Sequence, residues 1–236
     1  MSFLRSIRQW FDRPKLVDRS QFPALAPAVE MAPVQGSFEK LGSLSLDVLG
    51  TAPVWMSPAE RLLLFSLVYT LRPRCYLEIG TLHGGSAAIV NAALDALHLP
   101  TRMVLVDPKP QIEEALWDKL APRAVLVPGF SPAVLPQAAQ AAGEPFDFVL
   151  VDGDHSRRAT LADLQGAVVH CRSGAYLLCH DCFYSEVEQA IDEFVLTSPV
   201  PVVDFGPFTR ETTAGDASNA GDPEPWGGMR LLQVRG

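Results

Sequence analysis

Two short segments of this sequence carry residue types and spacings suited to chemistry. In the first, Glu78-Ile79-Gly80-Thr81-Leu82-His83-Gly84-Gly85-Ser86, an apolar run ends in an acid and a glycine, and a Gly-Gly turn opens a stretch of small residues. At the end of a parallel strand such a turn presents backbone N–H groups and one carboxylate to a nucleotide-like ligand. A dinucleotide-binding turn needs a glycine where Leu82 stands, so close approach of a pyrophosphate is blocked. Glu78 adds a negative charge, which suits a ligand bearing amino groups and hydroxyls better than one bearing phosphates. Both features argue against a nicotinamide-dependent oxidoreductase. The second constellation is Val151-Asp152-Gly153-Asp154-His155-Ser156 together with Cys179-His180-Asp181-Cys182. If the two segments end neighbouring strands, Asp152 and Asp181 converge, and two carboxylates beside a histidine suit a hard divalent cation such as Mg²⁺.

The elements that must position these residues are legible as alternating strands and helices. Ser57-Pro58-Ala59-Glu60 reads as a capping box with proline at the first helical position, starting a helix that stops near Leu71 before Pro73. Strands are expected at Cys75–Ile79, Met103–Val106, Ala124–Val127, Phe146–Val151, Ala175–Cys179, Val200–Phe205 and Met229–Val234. Helices are expected over residues 85–97, 111–120 and 132–142, over a stretch carrying Leu161, Leu164 and Val168 on one face, and from a second capping box at Ser185 and Glu188. Near-continuous apolar strands alternating with helices give an α/β, doubly wound, mostly parallel sheet covered on both faces. Ligands sit at the carboxyl ends of strands in such sheets. Those ends carry Glu78 and Gly80, then Asp107, then Gly129 and Phe130, then Asp152 to His155, then His180 and Asp181. Asp107 is placed to accept hydrogen bonds from both hydroxyls of a ribose, Phe130 to lie against a base, and Gly129 to allow close approach. His155 is placed three residues past a ligand acid at a helix start, where an imidazole serves as general base or as a helix cap.

The segment Glu78-Ile79-Gly80-Thr81-x-x-Gly84-Gly85-Ser86 resembles the first motif of class I S-adenosylmethionine-dependent methyltransferases, in the form seen in small-molecule O-methyltransferases. The likeness runs from about Ser57 to Asp181. It implies a seven-stranded Rossmann-like sheet with the last strand antiparallel. It also implies that S-adenosylmethionine is held by Glu78, Gly80, Thr81, Gly84, Gly85, Ser86, Asp107, Gly129, Phe130 and Asp152. Metal-dependent O-methyltransferases of sugars and natural products hold their ion with an acid after strand four and an adjacent pair after strand five. The resemblance therefore implies Asp152, His180 and Asp181 as ligands, with His155 or Asp152 as base. The sequence departs from that pattern at His180, where many relatives carry a second acid. This leaves open Mg²⁺, a softer metal such as Mn²⁺ or Zn²⁺, a weaker site, or none. The expected reaction is methyl transfer to a hydroxyl of a small molecule, with a non-catalytic cofactor-binding scaffold as the reading from another class.

Bulk properties bound these expectations. The chain has 236 residues, is 48% hydrophobic and carries a net charge of −8, so it is expected to fold as a domain over residues 57–236 preceded by an extension over residues 1–56. The acidic balance and the lack of a basic cluster beyond residue 20 exclude a nucleic-acid partner. No apolar run is long enough to span a bilayer. The four cysteines fall in or beside core elements, which fits reduced thiols in a cytoplasm, and Cys179-x-x-Cys182 has no second pair to complete a zinc site. Phe3, Leu4, Ile7, Trp10 and Phe11 recur at helical spacing amid arginines. That reads as a helix on the chain's own domain or on a partner subunit of a homo-oligomer, with peripheral contact to an anionic membrane through residues 3–15 as the alternative. Residues 20–58 read as an extended Pro- and Ala-rich arm. The Gly-rich loop over residues 206–228, with Trp226, is expected to hang over the same edge as the site.

Overall fold

The computed structural model describes residues 44–212 and 225–235, all within the unit Met31–Gly236. The amphipathic segment over residues 3–15, the arm as far as residue 43 and residues 213–224 of the Gly-rich loop lie outside the described residues. The elements run α1 (Asp47–Thr51), α2 (Pro58–Leu71), β1 (Cys75–Ile79), α3 (Gly85–Ala96), β2 (Arg102–Asp107), α4 (Glu114–Leu120), β3 (Ala124–Pro128) and α5 (Leu135–Ala142). They continue as β4 (Phe146–Val151), α6 (Arg157–Val168), β5 (Cys171–His180), α7 (Ser185–Thr197), β6 (Val202–Pro207) and β7 (Met229–Val234).

The seven strands form one sheet in the order β3-β2-β1-β4-β5-β7-β6, parallel except for β7, which is antiparallel to both β5 and β6. Between β1 and β4 the order of strands reverses, which opens the crevice where such sheets bind ligands. Register sets the level of that crevice. Ile79 is opposite both Val106 and Val151, and Val151 is opposite Cys179. Gly80, Asp107, Asp152 and His180 therefore leave the sheet at one height. The pleat sends Leu77, Ile79, Val149 and Leu177 into a core with α5, α6 and α7. It sends Tyr76, Phe148, Leu150 and Leu178 into a second core with α2, α3 and α4. Each fully buried side chain of this size contributes about 1.5–3 kcal/mol, and Tyr76 and Phe148 also stack at 6.0 Å between centroids.

Several boundaries differ from expectation for identifiable reasons. Strand β5 starts at Cys171, not Ala175, because Cys171 pairs with Phe146 before a register shift. The polar Arg172-Ser173-Gly174 lies before the apolar run that marks this strand in the sequence. Ser185, expected at the cap position, is the first residue of α7, with Tyr184 at the cap position. The box at Ser57 and Glu60 forms in full. Residues 47–56 are not an extended arm: α1 forms there, and Ala52 and Met56 are buried. Arg61 pins this segment by donating to the carbonyls of Leu49, Ala52, Val54 and Met56 at 2.6–3.1 Å. Strand β6 runs Val202–Pro207, two residues later than expected. Among the described residues all four cysteines are free thiols, and no helix is long and apolar enough to cross a membrane.

Candidate active site and metal centre

A cleft of about 540 Å³ opens at the carboxyl ends of β1, β2, β3, β4 and β5. Its floor is the turn after β1, knitted to both neighbours: Gly80 N–H donates to Val106 and Asp152 N–H to Ile79. Gly80 has φ of +91°, and a Cβ there would meet the Asp152 carbonyl oxygen at 1.8 Å. Only glycine lets the two strand ends come this close. Gly84 caps α3 in the left-handed region, with no side chain capping the first turn of that helix. The first-turn N–H groups therefore stay available to an anionic group. Gly85 lies against the Pro53 carbonyl, so the segment held by Arg61 closes one side of the turn.

Asp107 stands at the end of β2, where its Oδ2 accepts from Leu82 N–H at 2.8 Å and its Oδ1 from Lys109 N–H at 2.7 Å. Each oxygen keeps a second lone pair toward the cleft, which Asp107 lines. Phe130 is 71% exposed on one rim and Trp55 79% exposed on the other. Trp55 meets His83 edge-on at 6.4 Å. Trp55 is a cleft residue the sequence reading passed over, because it lies in the segment taken for an arm. An isolated tryptophan beside a capping box was the available signal.

Glu78 does not line the cleft. Pleat parity puts it on the face of Tyr76, under the first turn of α3, fully buried, where Tyr76 Oη donates to it at 2.6 Å and Ser86 Oγ at 2.9 Å. Burial pushes its carboxyl up to about 7 against the pull of those hydroxyls. The folded protein thus holds this proton to a higher pH than the unfolded chain does, and stability falls as pH rises from about 4.5 through about 7. Glu78→Gln is expected to gain roughly 2–3 kcal/mol relative to the wild type between pH 5 and pH 8, read by urea denaturation at both values. A constant difference would show that the carboxyl titrates normally.

At the other end of the cleft Asp152, His155, His180 and Asp181 converge, offering four ligand atoms all within 4.8 Å of one another. His180 Nδ1 lies 3.0 Å from Asp152 Oδ1 and 3.2 Å from Asp181 Oδ2; His155 Nε2 lies 2.9 Å from Asp181 Oδ2. Asp181 reaches this position with φ of +52° and accepts from Gly227 N–H through Oδ1 at 2.7 Å. Burial disfavours charge on every member, but the pairing prevails. Both carboxyls are held below the usual range, the His180 imidazole is held well above it, and His155 is raised to about 9. His155 Nε2 also lies 3.5 Å from Asp152 Oδ1, so it faces both carboxylates. Four nitrogen and oxygen atoms therefore face a shared space, and two carboxylates with imidazoles that give up their protons on binding suit a divalent cation. The two histidines differ in access: the His155 side chain is 32% exposed and that of His180 4%. Of these two cleft-lining histidines, His155 is the more open to a second molecule.

His180 has a partner that sequence reading missed. Glu60, fully buried, accepts from Ser57 N–H at 2.6 Å and from Gly228 N–H at 2.5 Å, and its Oε2 lies 3.5 Å from His180 Nε2. The capping glutamate thus backs the imidazole that faces the cluster, as a carboxylate backs a metal-ligating histidine. Glu60→Ala would strand two buried N–H groups and is expected to cost about 3 kcal/mol in chemical denaturation. An effect below about 1 kcal/mol, the size of an ordinary cap, would show that these bonds carry no weight. Trp226, close to the cluster, stacks on Tyr184 at 4.2 Å and lies edge-on to His155 at 5.3 Å.

Residues 77–182, the stretch that contains both clusters, match the family model of a methyltransferase domain. Over that stretch the chain is similar to methyltransferase domains. No curated protein matches the chain significantly by sequence. Among solved structures, the domain is similar to an O-methyltransferase from Bacillus cereus in complex with SAH, at 19% identity and TM-score 0.59, covering 88% of this chain and 94% of that one. It is also similar to the O-methyltransferase TomG from Streptomyces achromogenes, involved in tomaymycin synthesis and in complex with SAM, at 20% identity and TM-score 0.56, covering 86% and 96%. A third is CmcI with Mg and SAM, at 16% identity and TM-score 0.52, covering 91% and 89%. The seven strands and the antiparallel last strand agree with what the resemblance implied.

Proposed function

We propose that this domain uses S-adenosylmethionine to methylate a hydroxyl of a small molecule, assisted by a divalent cation. The observation that carries the reading is the convergence of Asp152, His155, His180 and Asp181 at one end of a cleft whose other end holds Gly80 and Asp107. Asp107 would take the ribose hydroxyls, the open first turn of α3 the carboxylate of the methionyl part, and Gly129 and Phe130 the base. The cofactor supplies an activated methyl group, so the chain's task is to align an acceptor oxygen behind it and remove a proton. Asp152, His180 and Asp181 would hold the cation, and Glu60 would fix the His180 ring. A cation there supplies positive charge that offsets the two carboxylates facing His155 and stabilises negative charge on the acceptor oxygen. His155, the accessible imidazole, then takes the acceptor's proton at Nε2. The imidazole of His180 among the ligands shifts preference from Mg²⁺ toward a softer ion such as Mn²⁺ or Zn²⁺. A cytoplasmic setting fits the four free thiols.

Calorimetric titration with S-adenosylmethionine and its demethylated product, with and without Mg²⁺ or Mn²⁺, tests the reading. Cofactor binding in the micromolar range and a cation site lost in Asp181→Asn are expected. Absence of cofactor binding under all conditions would overturn it.

A further inference from the structure

His155 stands between two roles. Its Nε2 lies 2.9 Å from Asp181 Oδ2 and 3.5 Å from Asp152 Oδ1, close enough to join a ligand set with His180. It is also the more exposed imidazole, on the loop that leads from β4 into α6. Both of its contacts with the acids end on oxygens that the proposed cation would take. They cannot be what places the ring once the site is loaded.

A third contact does not depend on those oxygens. Trp226 meets the His155 ring edge-on, at 5.3 Å between centroids and 76° between planes. Contacts of this kind are directional, so one ring fixes the tilt of the other. The indole is itself held in place. It stacks on Tyr184 at 4.2 Å with 12° between planes. Its neighbour Gly227 donates its N–H to Asp181 Oδ1 at 2.7 Å and accepts from Phe183 N–H at 3.0 Å. Gly228 accepts from Cys182 N–H at 3.2 Å, so the residues leading into β7 are laced to the turn after β5. The residue whose ring touches the imidazole is thus next to the residue whose backbone holds the ligand acid. We infer that Trp226 is a positioning residue for His155: it keeps the imidazole at the open side of the cluster, available to the acceptor's proton, and out of the set that would ligate the cation. The inference rests on the proposed cation site and on His155 as the base. With the indole removed, the ring is free to turn onto the cation, and the lone pair that should take the proton is used up in ligation.

The experiment needs no acceptor. Mn²⁺ is titrated by calorimetry into the full chain as wild type, Trp226→Leu, His155→Gln and the double variant, with thermal denaturation confirming that each is folded. Pulsed electron paramagnetic resonance on the loaded proteins counts the imidazole nitrogens on the ion. Wild type is expected to show one, from His180, and Trp226→Leu two. Trp226→Leu should also bind Mn²⁺ roughly 10-fold more tightly, an ordinary coupling for residues in contact. Both changes should vanish in the double variant, and Trp226→Phe, which keeps a flat ring, should behave as wild type. The same nitrogen count in wild type and Trp226→Leu would overturn this inference alone. So would a gain in affinity that survives His155→Gln, or a Trp226→Phe that behaves as Trp226→Leu. If Trp226→Leu fails to fold, Trp226→Met, which keeps bulk without a ring, carries the same comparison. A wild type that takes up no Mn²⁺ would instead overturn the cation reading and this inference with it.

Discussion

Asp181→Asn is expected to reduce methyl transfer by roughly 10³-fold while leaving affinity for S-adenosylhomocysteine within a few-fold of wild type. The amide keeps an oxygen for the Gly227 N–H bond that organises the start of β7. It replaces the oxygen that faces His155 and His180 with an NH₂ group, which cannot ligate a cation. His155→Gln should give a different pattern. Loss of a positioned base costs typically 10²–10⁴-fold, but Asp152, His180 and Asp181 remain, so the cation titration should persist. The contrast separates holding the cation from moving the proton. Equal loss of cation binding in both variants would place His155 among the ligands, and unchanged turnover in either would remove that residue from the mechanism. Calorimetry for the two ligands and single-turnover assays with a hydroxyl acceptor supply the readouts.

How much of this was legible in the sequence depends on how far each feature reaches along the chain. The turn from Glu78 to Ser86, the acids after β2 and β4, and the His180-Asp181 pair are local patterns, and register brings them to one height because parallel neighbours align strand ends. The direction of Glu78 was not legible from its position beside the turn. Its parity with Tyr76 points it under α3, so the carboxylate braces the turn from beneath instead of facing a ligand. The tie from Glu60 to His180 was hidden for another reason: a capping glutamate is a complete local explanation, and its second contact lies 120 residues away in sequence. The start of β5 was lost because Arg172-Ser173-Gly174 has loop composition, and only pairing with β4 extends the strand past it.

Gly80→Ala is expected to be among the most damaging substitutions that adds only a methyl group. At φ of +91° the backbone is one that L-residues avoid, and a methyl carbon 1.8 Å from the Asp152 carbonyl oxygen cannot be accommodated without separating β1 from β4. Separation would break the Asp152 N–H bond to Ile79 and move the Asp152 side chain out of the cluster it shares with His180. The expected result is a stability loss above about 3 kcal/mol together with loss of both cofactor and cation binding, although Gly80 itself contributes no side chain to either. Gly206→Ala supplies the comparison. Its φ of +78° is nearly as unfavourable, but nothing lies within 4 Å of the added carbon. It should cost only about 1–2 kcal/mol and leave both titrations intact. Thermal denaturation and calorimetry on the pair thus divide the effect of backbone conformation from the effect of crowding. If the two variants lose similar stability and Gly80→Ala still binds both ligands, the close approach of β1 and β4 is not what joins the two halves of the site.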